Sequence, residues 1–545
     1  MRILFKIIFV IHILCLKTLV AQQERKPKLI VGIVIDQMRA EYLYRFQDNY
    51  TEEGFKRLLR DGFNVKNIHY NYIPTATGPG HASIYTGTTP ANHGIVSNEW
   101  YNRVLKKTMY CAEDTTVKLV DSNKKQTVNP SRGNRSPKKI KTTTITDELK
   151  LFSSGRSKVI GISLKDRGAI FPAGHLADAA YWYNPENGNF VSSTYYVKQL
   201  PEWLIAFNNY HKADSLLNLT WKPYLPIENY THSGADNVSF EKIYEDKETA
   251  TFPYHLKKLR KSNGNFKLLT EVPYGNTLIT ELALKAIKSE RLGQGEETDF
   301  LTISYSATDY VGHYFGIRSK ELEDTYVRMD REIGTLLKTL DEEVGKGNYT
   351  LFLTADHGSS DNPYFLEQAR LPGMFYDPMK IKKALNAYLS EEFGESDYIA
   401  FIDKTQIYFN KKTGTKELVI KKAASFLKTI VGIKAVFTPN LLRSNSYENN
   451  TKSLINNSFY LENSGDILMH FHSGWMVERP YGTTHGSMYT SDTHVPLLWY
   501  GDKIQKGETI KKHVITQIAP TLSMLLNIPL PNTSNRSPIE ELFQK

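Results

Sequence analysis

The sequence predicts an α/β fold, a three-layer α/β/α sandwich around a mostly parallel sheet with inserted cap segments. Three observations predict it. Apolar runs of strand length recur along the chain, helical patterns alternate with them, and several runs end in a carboxylate. Continuous apolar runs mark strands buried on both faces, and strand–helix alternation marks a sheet covered on both sides.

"KLIVGIVID" (28–36) is the first such strand and ends in Asp36. "PTATGPGHASIYTG" (74–87) then sets Thr77 ahead of Gly78-Pro79-Gly80 and a helical run. "SKVIGISL" (157–164) is the second strand, followed by Lys165-Asp166-Arg167. The helical "TLITELALKAIKSE" leads to "DFLTISYSATD" (299–309), which ends in Asp309. In "DTYVRMDREIGTLLKTLDEE", Tyr326, Met329, Ile333, Leu336 and Leu340 fall at helical spacing. "YTLFLTADHG" (349–358) brings in Asp356 and His357, and "HVPLLWYG" (494–501) reads as a fifth strand of the same kind. "ITQIAPTLSMLLNI" closes the pattern as an apolar helix. Less regular segments at 101–145, 171–260 and 360–480 read as insertions decorating one edge of the sheet.

Composition bounds the rest. The chain has 545 residues and 40% hydrophobic content, enough for a large core. Residues 1–21, with a basic start and an apolar middle, read as a secretory signal peptide, leaving a mature chain of 22–545. The expected location is therefore outside the cytoplasm, in the periplasm or secreted, with no stable membrane insertion after signal removal. Cys111 is then the sole cysteine, so the fold rests on its core rather than on disulfides, and the thiol reads as idle. The formal charge of +10 comes from scattered lysines and arginines. That balance favours anionic small molecules and gives no sign of nucleic-acid binding.

Ligands of open α/β sheets bind at the carboxyl ends of the strands. Asp36, Asp309, His313, Asp356, His357 and His485 gather there in the expected fold. Asp309 and His313 share a face if a helical turn follows the strand. Carboxylate and imidazole together suit Zn²⁺, and six such donors divide into two sites, the arrangement of two-metal phosphoryl-transfer centres. Thr77 heads a helix whose first amides attract an anion. Its hydroxyl, activated by a metal, suits a nucleophile. His81 reads as packed beneath the site, His93 as a partner of loop backbone, and His470 and His472 as one face of a strand.

These motifs together resemble the alkaline phosphatase superfamily, and within it the secreted bacterial alkaline phosphatases of the PafA type, which use threonine as nucleophile. The resemblance runs through "VGIVIDQMR", "PTATGPGHASIYTGTTPANHGIVSNEW", "ISLKDRGAI", "SATDYVGHYFG", "LTADHG", "YGTTHGSMYTSDTHVPLLWYG" and "ITQIAPTLSMLLNIPLP". It implies an alkaline-phosphatase-like sandwich and two Zn²⁺ ions. One would be held by Asp309, His313 and His485, the other by Asp36, Asp356, His357 and Thr77. Asn98, Lys165 and Arg167 would bind the phosphoryl oxygens. The implied reaction is hydrolysis of small-molecule phosphate monoesters through a covalent phosphothreonine. The alternatives are a phosphodiesterase of the same superfamily and a non-catalytic phosphate-binding protein.

Overall fold

A computed structural model describes residues 26–122, 129–394, 396–410, 417–439 and 451–543. The expected signal peptide lies outside the described residues.

The centre is a ten-stranded sheet. Its strands in chain order are β1 (Leu29–Ile35), β2 (Phe63–Val65), β3 (Leu119–Val120), β4 (Val159–Ser163), β5 (Ala179–Asn184), β6 (Asn189–Ser193), β7 (Asp299–Tyr305), β8 (Tyr349–Thr354), β9 (Leu497–Gly501) and β10 (Gly507–Thr509). In space they run β10-β2-β9-β8-β1-β7-β4-β5-β6-β3. The five central strands, β8, β1, β7, β4 and β5, are parallel.

Adjacent residues of β7 show the three layers directly. Ser304 Oγ meets His81 of the helix Thr77–Thr86 at 2.9 Å, and the Tyr305 hydroxyl meets Thr280 of the helix Tyr274–Glu290 at 3.1 Å. Successive side chains of a strand point to opposite faces, so the two helices cover opposite sides. The amphipathic helix Lys320–Leu340 buries all five residues of its expected apolar stripe.

Two expectations are corrected. Of the run at 494–501 only Leu497–Gly501 enters the central sheet, where β9 lies antiparallel to β8, while His494–Val495 pairs with Ile68–His69 in a separate small sheet. β9 is buried on both faces like its parallel neighbours, so its apolar continuity carries no directional signal. Within 171–260, β5 and β6 belong to the central sheet rather than to a decoration. The aromatic "AAYWYN" of β5 is buried along its whole length.

Within 360–480 the described residues form a separate unit beside the catalytic edge, the cap. Four strands, Ile399–Asp403, Gln406–Phe409, Ile467–Phe471 and Ile433–Phe437, form a separate antiparallel sheet in that spatial order. The helices Pro378–Phe393 and Glu417–Leu427 share with it a hydrophobic cluster of its own.

Candidate active site

Register sets the site. Ile35 pairs with Tyr305 and Val34 with Thr354, so Asp36, Asp309 and Asp356 emerge at the same edge of the sheet. Asp309 lies one turn before His313 on the helix Ala307–Phe315, with Oδ1 3.2 Å from His313 Nε2. His485 arrives on the loop before β9, its Nε2 3.8 Å from the same oxygen. His357 Nε2 stands 3.4 Å from Asp36 Oδ1 and 3.6 Å from Asp356 Oδ2.

Two groups of donors converge closely enough to hold metal ions. One is Asp309, His313 and His485; the other is Asp36, Asp309 and His357. Asp309 belongs to both, and Asp356 borders the second through His357.

His357 and His485 each commit Nδ1 to a backbone carbonyl, Gly358 at 2.9 Å and Thr75 at 2.6 Å, while His313 Nδ1 lies 2.7 Å from the Thr483 carbonyl and 2.9 Å from Arg479 Nη1. A proton on Nδ1 leaves the Nε2 lone pair facing inward, the tautomer a metal ligand needs. Asp36 Oδ1, Asp356 Oδ2 and His357 Nε2 are buried without a hydrogen-bond partner. Burial of such atoms is costly unless a cation completes them. The donor set therefore fits divalent metal.

Electrostatics agree. Burial holds His485 well below the usual imidazole range and His313 at about 4, so both imidazoles are neutral near neutral pH. Burial, with Asp309 and Asp356 nearby, raises Asp36 well above the carboxylate range. Burial likewise raises Asp356 to about 6. Asp309 goes the other way: against its burial, His313 and Lys165 hold it ionised well below the usual range.

Thr77 is the first residue of the helix Thr77–Thr86 and is almost fully buried. Lys165 Nζ and Arg167 Nη2 each lie 3.5 Å from its Oγ1. Lys165 caps the helix Asp166–Ala173 after β4, and its ammonium bridges Asp36 Oδ2 at 2.7 Å and Asp309 Oδ2 at 2.6 Å. Arg167 donates from Nη1 to the Tyr110 hydroxyl at 3.0 Å, while its Nε is buried without a partner. Asn98 Oδ1 accepts from the Gly78 amide at 2.7 Å, which anchors the carboxamide beside Thr77. The fold thus brings together all ten residues named from the sequence.

The glycines after Thr77 serve close packing. A Cβ on Gly80 would stand 2.4 Å from the Asp356 carbonyl oxygen, and one on Gly78 would crowd Asn98 and Cys111. They let the helix press against the strand ends. Cys111 is buried there, and burial pushes its thiol up to about 12, which keeps it unreactive. His81 sits beneath the site, with Nδ1 2.9 Å from the Thr77 carbonyl.

Several positioning residues were not found from the sequence. Gln37 donates from Nε2 to Asp309 Oδ1 at 2.6 Å and from its amide to Asp356 Oδ1 at 3.2 Å. Its place directly after Asp36 was the available signal. Asp492 accepts the amides of Gly486 and Ser487 at 3.0 and 2.8 Å, fixing the His485 loop. Tyr110 and Arg135 both bond Asp166 behind Arg167.

A family model for type I phosphodiesterase / nucleotide pyrophosphatase matches residues 30–496. Alkaline phosphatase PafA of Elizabethkingia meningoseptica is 40% identical over 527 residues, covering 95% of each chain. A Myroides odoratus protein named calcium-transporting ATPase is 40% identical over 536 residues, covering 97% of this chain and 96% of its own. The crystal structure of wild-type PafA superimposes with a TM-score of 0.91 at 40% identity, covering 95% of this chain and 99% of that one. Among the described residues no helix is long and apolar enough to cross a membrane. The chain belongs to the type I phosphodiesterase/nucleotide pyrophosphatase family of the alkaline phosphatase superfamily and is an enzyme of the alkaline phosphatase kind that PafA represents.

Proposed function

We propose that the protein is an exported, zinc-dependent phosphomonoesterase that works through a covalent phosphothreonine at Thr77. The carrying observation is the pair of cations on one hydroxyl: Lys165 and Arg167 both lie 3.5 Å from Thr77 Oγ1. A monoester presents a doubly charged phosphoryl group, and an ammonium with a guanidinium neutralises it well. A diester has a second organic group in that space and one charge less.

Asp309, His313 and His485 would hold one zinc ion, and Asp36, Asp356, His357 and Thr77 the other. Bound there, the ions supply Lewis-acid stabilisation of the attacking and leaving oxygens.

Thr77 Oγ1 attacks phosphorus in line. The P–O bond to the leaving group breaks, and the phosphoryl group passes to the threonine. Arg167, steadied by Tyr110, turns its free Nε–H toward a non-bridging oxygen. Lys165 supplies the second positive charge. Asn98, held through Oδ1, has its amide hydrogens available for a third contact. Water then attacks the phosphothreonine, restoring the hydroxyl and releasing inorganic phosphate. The terminal phosphoryl group of ATP is also singly substituted, so the same clamp accommodates the nucleotide hydrolysis that the Myroides name suggests.

The phosphodiesterase reading is favoured by the description of the family model. The test compares p-nitrophenyl phosphate with bis-p-nitrophenyl phosphate on the zinc-loaded protein and on Lys165→Ala/Arg167→Ala. A monoester preference that collapses in the double variant supports the proposal. A diester preference, or indifference to the substitutions, moves the protein to the phosphodiesterases.

A further inference from the structure

A cavity of about 220 Å³ lies between the cap and the catalytic edge. On one side it reaches Asn98, Ala76 and His485; on the other it is walled by the cap strand Ile467–Phe471 and by Trp475 and Tyr489. We infer that this cavity receives the leaving group and selects monoesters whose leaving group carries an aromatic ring. The inference rests on the phosphomonoesterase reading and names its substrate class.

Position is the first argument. In-line attack by Thr77 expels the leaving group on the far side of phosphorus, toward the donors Asp309, His313 and His485. The cavity borders His485, one of those donors, which puts it on the leaving-group side.

Composition is the second. Tyr376 and Phe471 stack with centroids 3.7 Å apart and planes inclined by 12°. Trp475 and Tyr489 line the same space and are only half-buried. No step of phosphoryl transfer uses these rings. Large aromatic surfaces left partly open in a concavity beside a charged centre are the usual lining of a specificity pocket.

Size and rigidity are the third. An apolar cavity of about 150 Å³ takes up benzene, so this one accommodates a single ring system. The wall is stiff because the cap packs around its own core, and Tyr376 is tied to it by the parallel pairing of Met374–Tyr376 with Trp475–Val477. Lys404 and Thr405 add polar groups to the lining. Aryl phosphates and nucleoside monophosphates share this chemistry.

The experiment uses the zinc-loaded full chain and the variants Trp475→Leu and Tyr376→Leu, with Trp475→Phe as the conservative control. kcat/KM is measured for phenyl phosphate, adenosine 5′-monophosphate and glycerol 2-phosphate, each relative to wild type. Inhibition constants are measured for phenylphosphonate and methylphosphonate. Losing one stacked ring is expected to lower the aromatic substrates about tenfold relative to glycerol 2-phosphate. Phenylphosphonate should weaken by a similar factor relative to methylphosphonate, with Trp475→Phe restoring most of both. A loss confined to phenyl phosphate assigns the pocket to aryl esters, and one confined to the nucleotide assigns it to nucleosides. Equal changes for all three substrates and both phosphonates overturn the inference. Failure of wild type to turn over any monoester overturns the functional reading instead, and the phosphonate comparison still decides the pocket.

Discussion

Lys165 Nζ lies 2.6 Å from Asp309 Oδ2, a buried ion pair at the centre of the site. The same ammonium donates to Asp36 Oδ2 at 2.7 Å and stands 3.5 Å from Thr77 Oγ1. Against the burial that would lower it, Asp309 and Asp36 raise its ionisation, so it stays protonated at any working pH. Lys165→Ala removes a catalytic cation and also leaves two carboxylates short of a partner. We expect kcat/KM for p-nitrophenyl phosphate to fall by about 10²-fold or more. We also expect protein stripped of divalent ions to lose about 3–5 kcal/mol, the cost of breaking a buried pair, with a smaller loss when zinc is supplied. Steady-state kinetics and melting curves with and without chelator check both. An equal loss of stability in the two states would remove the link between Lys165 and the metal donors.

Thr77 separates nucleophile from scaffold. The hydroxyl is nearly buried and faces two cations, while its backbone starts a helix whose cap, Ala76, makes no side-chain hydrogen bond. Thr77→Ala therefore removes little local stability and should lower turnover by about 10³-fold or more. Thr77→Ser keeps the attacking oxygen and should retain much of the activity. Metal content by mass spectrometry should largely persist in both variants. Loss of both metal ions from Thr77→Ala would make the residue primarily a ligand.

Gly80 controls the approach of the Thr77 helix to the strand end. A Cβ there would meet backbone, the Asp356 carbonyl oxygen, at 2.4 Å. Backbone at the tip of a central strand cannot yield as a flexible side chain does. Gly80→Ala should destabilise by about 1–3 kcal/mol and displace Asp356 from His357, weakening metal binding. Denaturant melts and zinc titration read the two effects. An unaltered zinc affinity would show that Asp356 does not need this contact.

The sequence showed the site more clearly than the path of the chain. Asp36, Asp309 and Asp356 were legible because carboxylates ended apolar runs, and such runs end at one edge of a parallel sheet. The direction of Leu497–Gly501 was not legible, because a strand buried on both faces reads the same either way. Asp492 acts through backbone amides of its own loop, at Gly486 and Ser487, and Gln37 through a side chain that only the fold turns toward Asp309. Neither has a spacing signature. The sharing of Asp309 between two donor groups depends on distances that a motif does not encode. The cap wall carries only ordinary strand alternation in the sequence, and the fold alone turns the strand Ile467–Phe471 toward the site.

His93 gives a pH test away from the catalytic donors. It is fully buried, with Nε2 2.9 Å from Ser83 Oγ and Nδ1 accepting the Ile95 amide at 3.2 Å. Burial pushes its ionisation down to about 3. The unfolded chain takes up a proton near pH 6.5 and the folded chain does not. The folded value is depressed, so this contribution to stability is present above about pH 6.5 and is lost as pH falls toward 3. At pH 5 the loss from this residue alone is about 2 kcal/mol. His93→Gln retains hydrogen-bonding capacity and removes the titration. Its melting temperature should therefore fall less than that of wild type between pH 7.5 and 5, whatever its value at pH 7.5. Parallel falls in the two proteins would mean that His93 accepts a proton within the fold.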